Sequence, residues 1–190
     1  MSPADAMEIR ERLHEAMLTC AGRSAFRFSV EEVAVEAGLS RATVYRYFPG
    51  GKDQLIADGV RWEVGRFFSR VADEVAHERD VSSKIATALV VGRHLLDEHD
   101  VLRLLVSEDP EGLFEQLVEV MPVMADGIRM YVAELLVQEE LAEGVHVGEA
   151  ADYVARLYLS YLGYSGEVDI DDPEQVRHLV STQFVGGLLA

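Results

Sequence analysis

The chain has 190 residues, 49% of them hydrophobic and 27% charged, a balance that suits a folded protein and speaks against disorder. Its formal charge of −17 gives an overall field that repels phosphate and disfavours a general polyanion binder. No apolar run approaches the ~20 residues needed to span a bilayer, MSPADAMEIRER is unlike a secretory leader, and the single Cys20 cannot form an intramolecular disulfide, so a soluble protein of the reducing cytoplasm is expected.

In chain order, residues 5–22 carry Ile9, Leu13, Ala16, Met17 and Cys20 at helical spacing. After a loop at Gly22–Arg27, Ser29 and Glu32 form a capping box, with Phe28 and Val33 as its hydrophobic staple. Val33, Ala34 and Ala37 make a tight inner face, and Gly38 ends this short helix where a left-handed conformation costs least. Ser40 caps a second short helix, Arg41 to about Phe48, which Pro49 and Gly50-Gly51 stop. Two short helices across a three-residue turn make a helix-turn-helix.

Longer helices follow. Ile56, Val60, Val64, Phe67, Val71 and Val75 form one stripe, and Ile85, Leu89, Gly92 and Leu96 another. Met121, Met124, Ile128, Val132, Leu135 and Leu136 mark a third helix, and Ala150, Val154, Leu157, Tyr158, Tyr161 and Leu162 a fourth. The last runs from about Pro173 to Val185, and Asp109-Pro110 and Asp172-Pro173 both have the form of a cap followed by proline in the first turn. Alternating strand runs and tight hairpin signals are missing, so the expected class is all-α.

Charge is unevenly spread. Residues 1–66 hold nine Lys/Arg and ten Asp/Glu, a net of −1, whereas 67–190 hold eight and twenty-four, a net of −16. Contact with an anion is therefore not opposed near the N-terminus. On the helix from Arg41, Val44 and Phe48 fall four apart and face inward, with Leu39 plugging the turn, which leaves Arg41, Ala42, Thr43, Tyr45, Arg46 and Tyr47 over the remaining surface. Small Ala42 and Thr43 let such a helix lie deep in a major groove, and Thr43 can touch a base edge. Arg41 or Arg46 can fork onto guanine or clamp a phosphate, while Tyr45 and Tyr47 can pack on sugar and donate a hydroxyl. Gly50-Gly51-Lys52 opens the next helix with backbone N–H groups and an ammonium, an anion site at a helix N-terminus. Solvated charge on a small helical hairpin would explain one charge pair, but not cap, turn glycine, small residues and aromatics together.

Val30–Leu55, VEEVAVEAGLSRATVYRYFPGGKDQL, resembles the DNA-binding signature of the tetracycline-repressor (TetR) family. The match covers roughly Ser29 to Leu55; beyond it, only the number, length and order of helices agree. One departure is the pair Gly50-Gly51, where the common pattern has a single residue before the lysine. The resemblance implies a three-helix DNA-binding head (1–52, with Ser29 and Ser40 flanking the contacts) and a helical effector-binding and dimerisation body (53–190). It also implies a homodimeric regulator, usually a repressor that a small molecule releases from a palindromic operator.

A dimer also follows from recognition itself, because two short helices can read half-sites about 34–36 Å apart where one makes few contacts. Val154, Leu157, Tyr161, Val176, Leu179, Val180 and Phe184 are expected at a four-helix interface, with an intramolecular core as the alternative. For an effector, Trp62, Phe67, Met121, Met124, Tyr131 and Tyr158 are candidate pocket residues, with Arg93 and Arg103 as anchors for an anionic group; an apolar or acyl-type molecule fits such a set. The simpler reading of Arg93 pairs it with Asp97 at i,i+4. No cofactor or metal is expected, since no Cys/His array has zinc spacing. Nucleotide loops and catalytic elbows are missing too, so an enzyme is not expected. The competing reading is a DNA-bound adaptor whose acidic body recruits a basic protein partner.

Overall fold

Helices follow one another in the computed structural model, which describes residues 3–164 and 166–190, and one of them, over residues 100–108, was not among those expected. They are α1 (Pro3–Ser24), α2 (Val30–Glu36), α3 (Arg41–Tyr47), α4 (Gly51–Val75), α5 (Val81–Asp97), α6 (Asp100–Glu108), α7 (Pro110–Leu136), α8 (Val147–Gly163) and α9 (Pro173–Leu179). The capping box of α2 is formed: the Glu32 amide donates to Ser29 Oγ at 3.2 Å, and the Ser29 amide donates to Glu32 Oε2 at 2.7 Å. Asp172 likewise caps α9, accepting from the amides of Glu174 and Gln175. The final helix departs from expectation, because α9 stops at Leu179 and a π-helical turn, Val180–Phe184, follows. Thr182 explains it locally: its hydroxyl donates to the His178 carbonyl at 2.6 Å, competing with the helical ladder.

The chain forms two compact units that do not divide at residue 52. One contains the chain up to Arg66 together with Glu98–Val120, and the other contains Phe67–Asp97 with Met121–Ala190. In the first unit α1 supplies Leu13, Met17 and Ala21, α2 supplies Val33 and Ala34, and α3 supplies Val44, with Phe48 just beyond its end. Leu55 of α4 and Val101 and Leu105 of α6 complete that core. A helix some eighty residues downstream in sequence therefore finishes the N-terminal unit, which a cut read from the motif alone could not anticipate.

In the second unit α5 packs on α8 and α9. Tyr158 of α8 is 5% exposed and its hydroxyl donates to the Ala88 carbonyl at 2.6 Å. Gly92 makes this approach possible: a Cβ there would lie 2.5 Å from that hydroxyl, 3.1 Å from Leu162 and 3.2 Å from Phe67. Val154, Val176, Leu179, Val180 and Phe184 are all buried here by the chain's own packing. This corrects the interface expected from sequence, since residues already enclosed have no surface to offer a partner. Leu157 and Tyr161 are half-buried, and Tyr161 meets the Phe184 ring at 5.6 Å.

Gly92→Ala gains ~1 kcal/mol of helix propensity. Against it stand overpacking, about 1–3 kcal/mol, and the displaced Tyr158 hydroxyl, about 1–3 kcal/mol when left unsatisfied. A net loss of about 2 kcal/mol is expected, read as a lower urea midpoint; an unchanged midpoint would mean the notch relaxes freely.

Candidate nucleic-acid interface and body cavity

Two arginines of α1 position the short helices. Arg12 donates to the Ala37 carbonyl at 2.7 Å, closing the end of α2 beside Gly38, whose φ of +64° suits a residue without a side chain. Arg10 donates to the Tyr47 carbonyl at 3.4 Å, lies 5.2 Å from the centre of the Phe48 ring, and faces Asp58 of α4 at 3.7 Å. The turn and the far end of α3 are thus both held from α1. Neither arginine belongs to the motif, so sequence reading passed over them.

The exposed surface of α3 carries Arg41, Ala42, Tyr45 and Arg46, with Thr43 half-buried. Ser40 Oγ accepts from the Thr43 amide at 3.1 Å and shares a hydrogen bond with Thr43 Oγ1 at 2.9 Å. Arg41 is ion-paired with Glu31 of α2 and lies 5.4 Å from the centre of the Tyr45 ring. Arg46 lies over the Tyr47 ring at 5.1 Å, and among the described residues no carboxylate pairs with it.

Three expectations change. Tyr47 is 8% exposed, because it follows Val44 by three residues and turns into the core rather than to the surface. The Gly50 and Gly51 amides are already engaged, by Gln54 Oε1 and the Phe48 carbonyl, both at 2.9 Å. Lys52 sits 5.2 Å from the centre of the Phe28 ring, so the staple residue also seats the ammonium. The start of α4 is accordingly a partly satisfied anion site.

Beneath this surface lies an unforeseen group. His14 is 6% exposed, packed between Phe48 and Trp62 at ring separations of 5.5 and 5.2 Å, and neither ring nitrogen has a hydrogen-bond partner among the described residues. Burial lowers its pKa below the ordinary 6.5; Asp58 pulls it up, and Arg10 pushes it further down. No signal distinguished it from the other histidines in the sequence.

The second unit encloses a cavity of about 40 Å³. Phe67, Phe68 and Val71 from α4 and Ile85 and Ala88 from α5 line one side; Ile128, Tyr131 and Val132 from α7 and Tyr158 from α8 line the other. Of the candidate pocket residues, Phe67, Tyr131 and Tyr158 meet there. Trp62 belongs to the first unit, beneath Arg66 at 4.7 Å. Arg93 is held by Asp97 at 2.8 Å and donates to the Leu162 and Gly163 carbonyls at the end of α8, while Arg103 pairs with Asp100. Met124 is buried outside the lining, and Met121 is 40% exposed. A wider groove of about 320 Å³ between α5 and α9 has a charged rim that includes Glu78 and Arg177.

The assembly of α2, turn and α3 is a helix-turn-helix of the DNA-binding kind. Residues 19–58 match the family of bacterial regulatory proteins described as the tetR family. No curated protein matches in sequence. Solved structures share the fold over nearly the whole chain. A TetR-family transcriptional regulator from Mesorhizobium loti superposes with a TM-score of 0.67 at 14% identity, covering 100% of both chains. FadR from Bacillus subtilis, in complex with stearoyl-CoA, gives 0.56 at 16% identity over 90% of this chain and 96% of that one. SmeT, in complex with triclosan, gives 0.58 at 18% identity over 96% and 92%. Residues 19–58 thus carry a tetR-family DNA-binding head, and the chain as a whole has the fold of those regulators.

His14 gives this unit a pH dependence of known sign. Well above pH 6.5 the ring is neutral whether folded or not. Below it the unfolded chain takes up a proton that the buried ring refuses, so stability falls as pH drops from about 6.5 toward the lower folded pKa and levels off beneath it. The urea midpoint is expected to decrease from about pH 7.5 to about pH 5.5, with a shallower decrease for His14→Leu. A variant as steep as the parent would place the dependence elsewhere.

Proposed function

We propose that the chain is a cytoplasmic repressor that binds a palindromic DNA operator as a homodimer and leaves it when a small molecule occupies the body cavity. The observation that carries this reading is α3 itself. It presents Ala42, Tyr45 and an unpaired Arg46 from a segment of net charge −1 in a chain of −17. In this reading residues 1–52 bind DNA, Arg46 and Tyr45 meet the groove and its phosphates, and Ser29, Ser40, Thr43 and Lys52 orient or flank them. Residues 53–190 serve the effector and the partner subunit. Half-buried Leu157 and Tyr161, beside exposed Tyr153 and Tyr164 on and just after α8, remain as surface for that partner.

Small-molecule release is supported by the stearoyl-CoA and triclosan complexes of the FadR and SmeT folds. The physical connection is α4, one continuous helix whose first turn follows the recognition helix and whose Phe67, Phe68 and Val71 line the cavity. An effector that favours one position of this helix shifts the DNA-binding population; one that binds both positions equally shifts nothing.

Selection of sites from a random duplex library, followed by affinity against salt, tests the reading. An inverted repeat is expected, and Arg46→Ala should weaken it roughly tenfold or more, since such contacts contribute about 1–3 kcal/mol. A lost base preference assigns Arg46 to a base, and uniform weakening with a shallower salt slope assigns it to phosphate. Failure to enrich any sequence at low salt sinks operator recognition. Glu31→Gln frees Arg41 and removes a carboxylate beside α3; affinity should rise severalfold at low salt and converge with the parent's as salt screens the charge.

A further inference from the structure

The cavity of the second unit is small, apolar and guarded by aromatic rings. None of its lining residues is charged. The two arginines whose position along the chain suggested an anion anchor are both committed, Arg93 to Asp97 and the carbonyls ending α8, and Arg103 to Asp100 in the other unit. Of the two hydroxyls on the lining, Tyr158's proton is already donated to Ala88. Tyr131 alone retains a hydroxyl without a hydrogen-bond partner among the described residues, and burial together with nearby Glu134 holds its pKa above the ordinary phenol range. That carboxylate, in a segment of net charge −16 from residue 67 onward, opposes any anion brought to the same place.

Phe68 stands edge-on to Phe67 at 5.7 Å and seats on the bare backbone of α7, where a Cβ on Gly127 would lie 2.7 Å from the ring. About 40 Å³ holds a few waters at most and falls far short of the ~300–1,000 Å³ of a usual small-molecule site, so a ligand must displace a ring. Phe68 and Tyr131 are half-buried, whereas Phe67 and Tyr158 are buried, so the first two are the less enclosed rings of the lining. An apolar void of this kind stays dry and takes hydrocarbon or aromatic groups, whereas an unpaired charge within it would be heavily penalised.

We infer that the effector site selects a neutral, mainly hydrocarbon or aromatic molecule, with one uncharged polar group for the Tyr131 hydroxyl, and rejects carboxylates, acyl-CoA thioesters and other anions. This selectivity rests on the cavity being the effector site, as in the function proposed above.

Charge can be varied on nearly one ring system. The full chain is titrated by fluorescence with neutral N-phenyl-1-naphthylamine and, separately, with anionic 8-anilino-1-naphthalenesulfonate; palmitate and palmitoyl-CoA serve as competitors. The neutral probe should bind at least ~10-fold more tightly than the sulfonate, a factor of ten being about 1.4 kcal/mol, and neither acyl anion should displace it. Ala88→Leu, which fills the cavity while keeping the backbone carbonyl that Tyr158 uses, should abolish the neutral probe's binding. Equal affinity for the two probes, displacement by an acyl anion, or no binding of the neutral probe to the parent chain overturns the selectivity. These readouts use the parent chain, so they hold even if the variant fails to fold. DNA release is measured in a separate arm. Selectivity stands or falls on the probe titrations, and small-molecule regulation on whether a bound neutral ligand lowers operator affinity.

Discussion

The recognition surface depends on two guanidinium groups that never reach it. α2 and α3 are seven residues each, too short to hold a fixed angle by their own hydrogen bonds. Arg12 closes the end of α2 on a carbonyl, and Arg10 ties the end of α3 to Asp58 of α4. Between them the apolar residues of α1 form the floor on which Val33, Val44 and Phe48 rest. The direction in which Tyr45 and Arg46 point is therefore set from α1. The same arrangement buries His14 against Phe48 and Trp62, which gives a DNA-facing unit a titratable group in its core.

Electrostatics divides the labour in the chain. The near-neutral first third leaves its few unpaired cations available for phosphate, and even there Glu31 and Phe28 restrain Arg41 and Lys52. The remainder is strongly acidic outside and uncharged at its cavity. Arg93, Arg103, Arg129 and Arg156 are spent on helix ends and i,i+3 or i,i+4 pairs. The cavity of a body built this way offers hydrophobic contact rather than charge. Two glycines shape that contact, Gly92 beneath Tyr158 and Phe67, and Gly127 beneath Phe68.

Local signals were legible in the sequence and long-range ones were not. The Ser29–Glu32 box, the Gly38 turn, the Ser40 cap and the Val44/Phe48 spacing are interactions within a few residues, and each appears where the sequence places it. Tyr47 was misplaced because a seven-residue helix presents several faces to its neighbours, and its inner arc depends on what α1 and α4 supply. The cavity was only partly foreseen. Phe67, Tyr131 and Tyr158 stood out by size, whereas Ala88, Ile128 and Val132 look like any core stripe until the opposing helix is in place.

The sequence by itself determined the all-helical class, the helix-turn-helix and the charge split, because these follow from capping, periodicity and composition. Only the tertiary structure decided that α6 completes the N-terminal core, and that Arg93, paired with Asp97 as its spacing suggested, also holds the carbonyls ending α8. It alone also decided that Val154, Val176, Leu179, Val180 and Phe184 are interior. Each of those outcomes turns on which residues from distant parts of the chain compete for one side chain. Helical periodicity tells that a face is apolar, but not which element covers it.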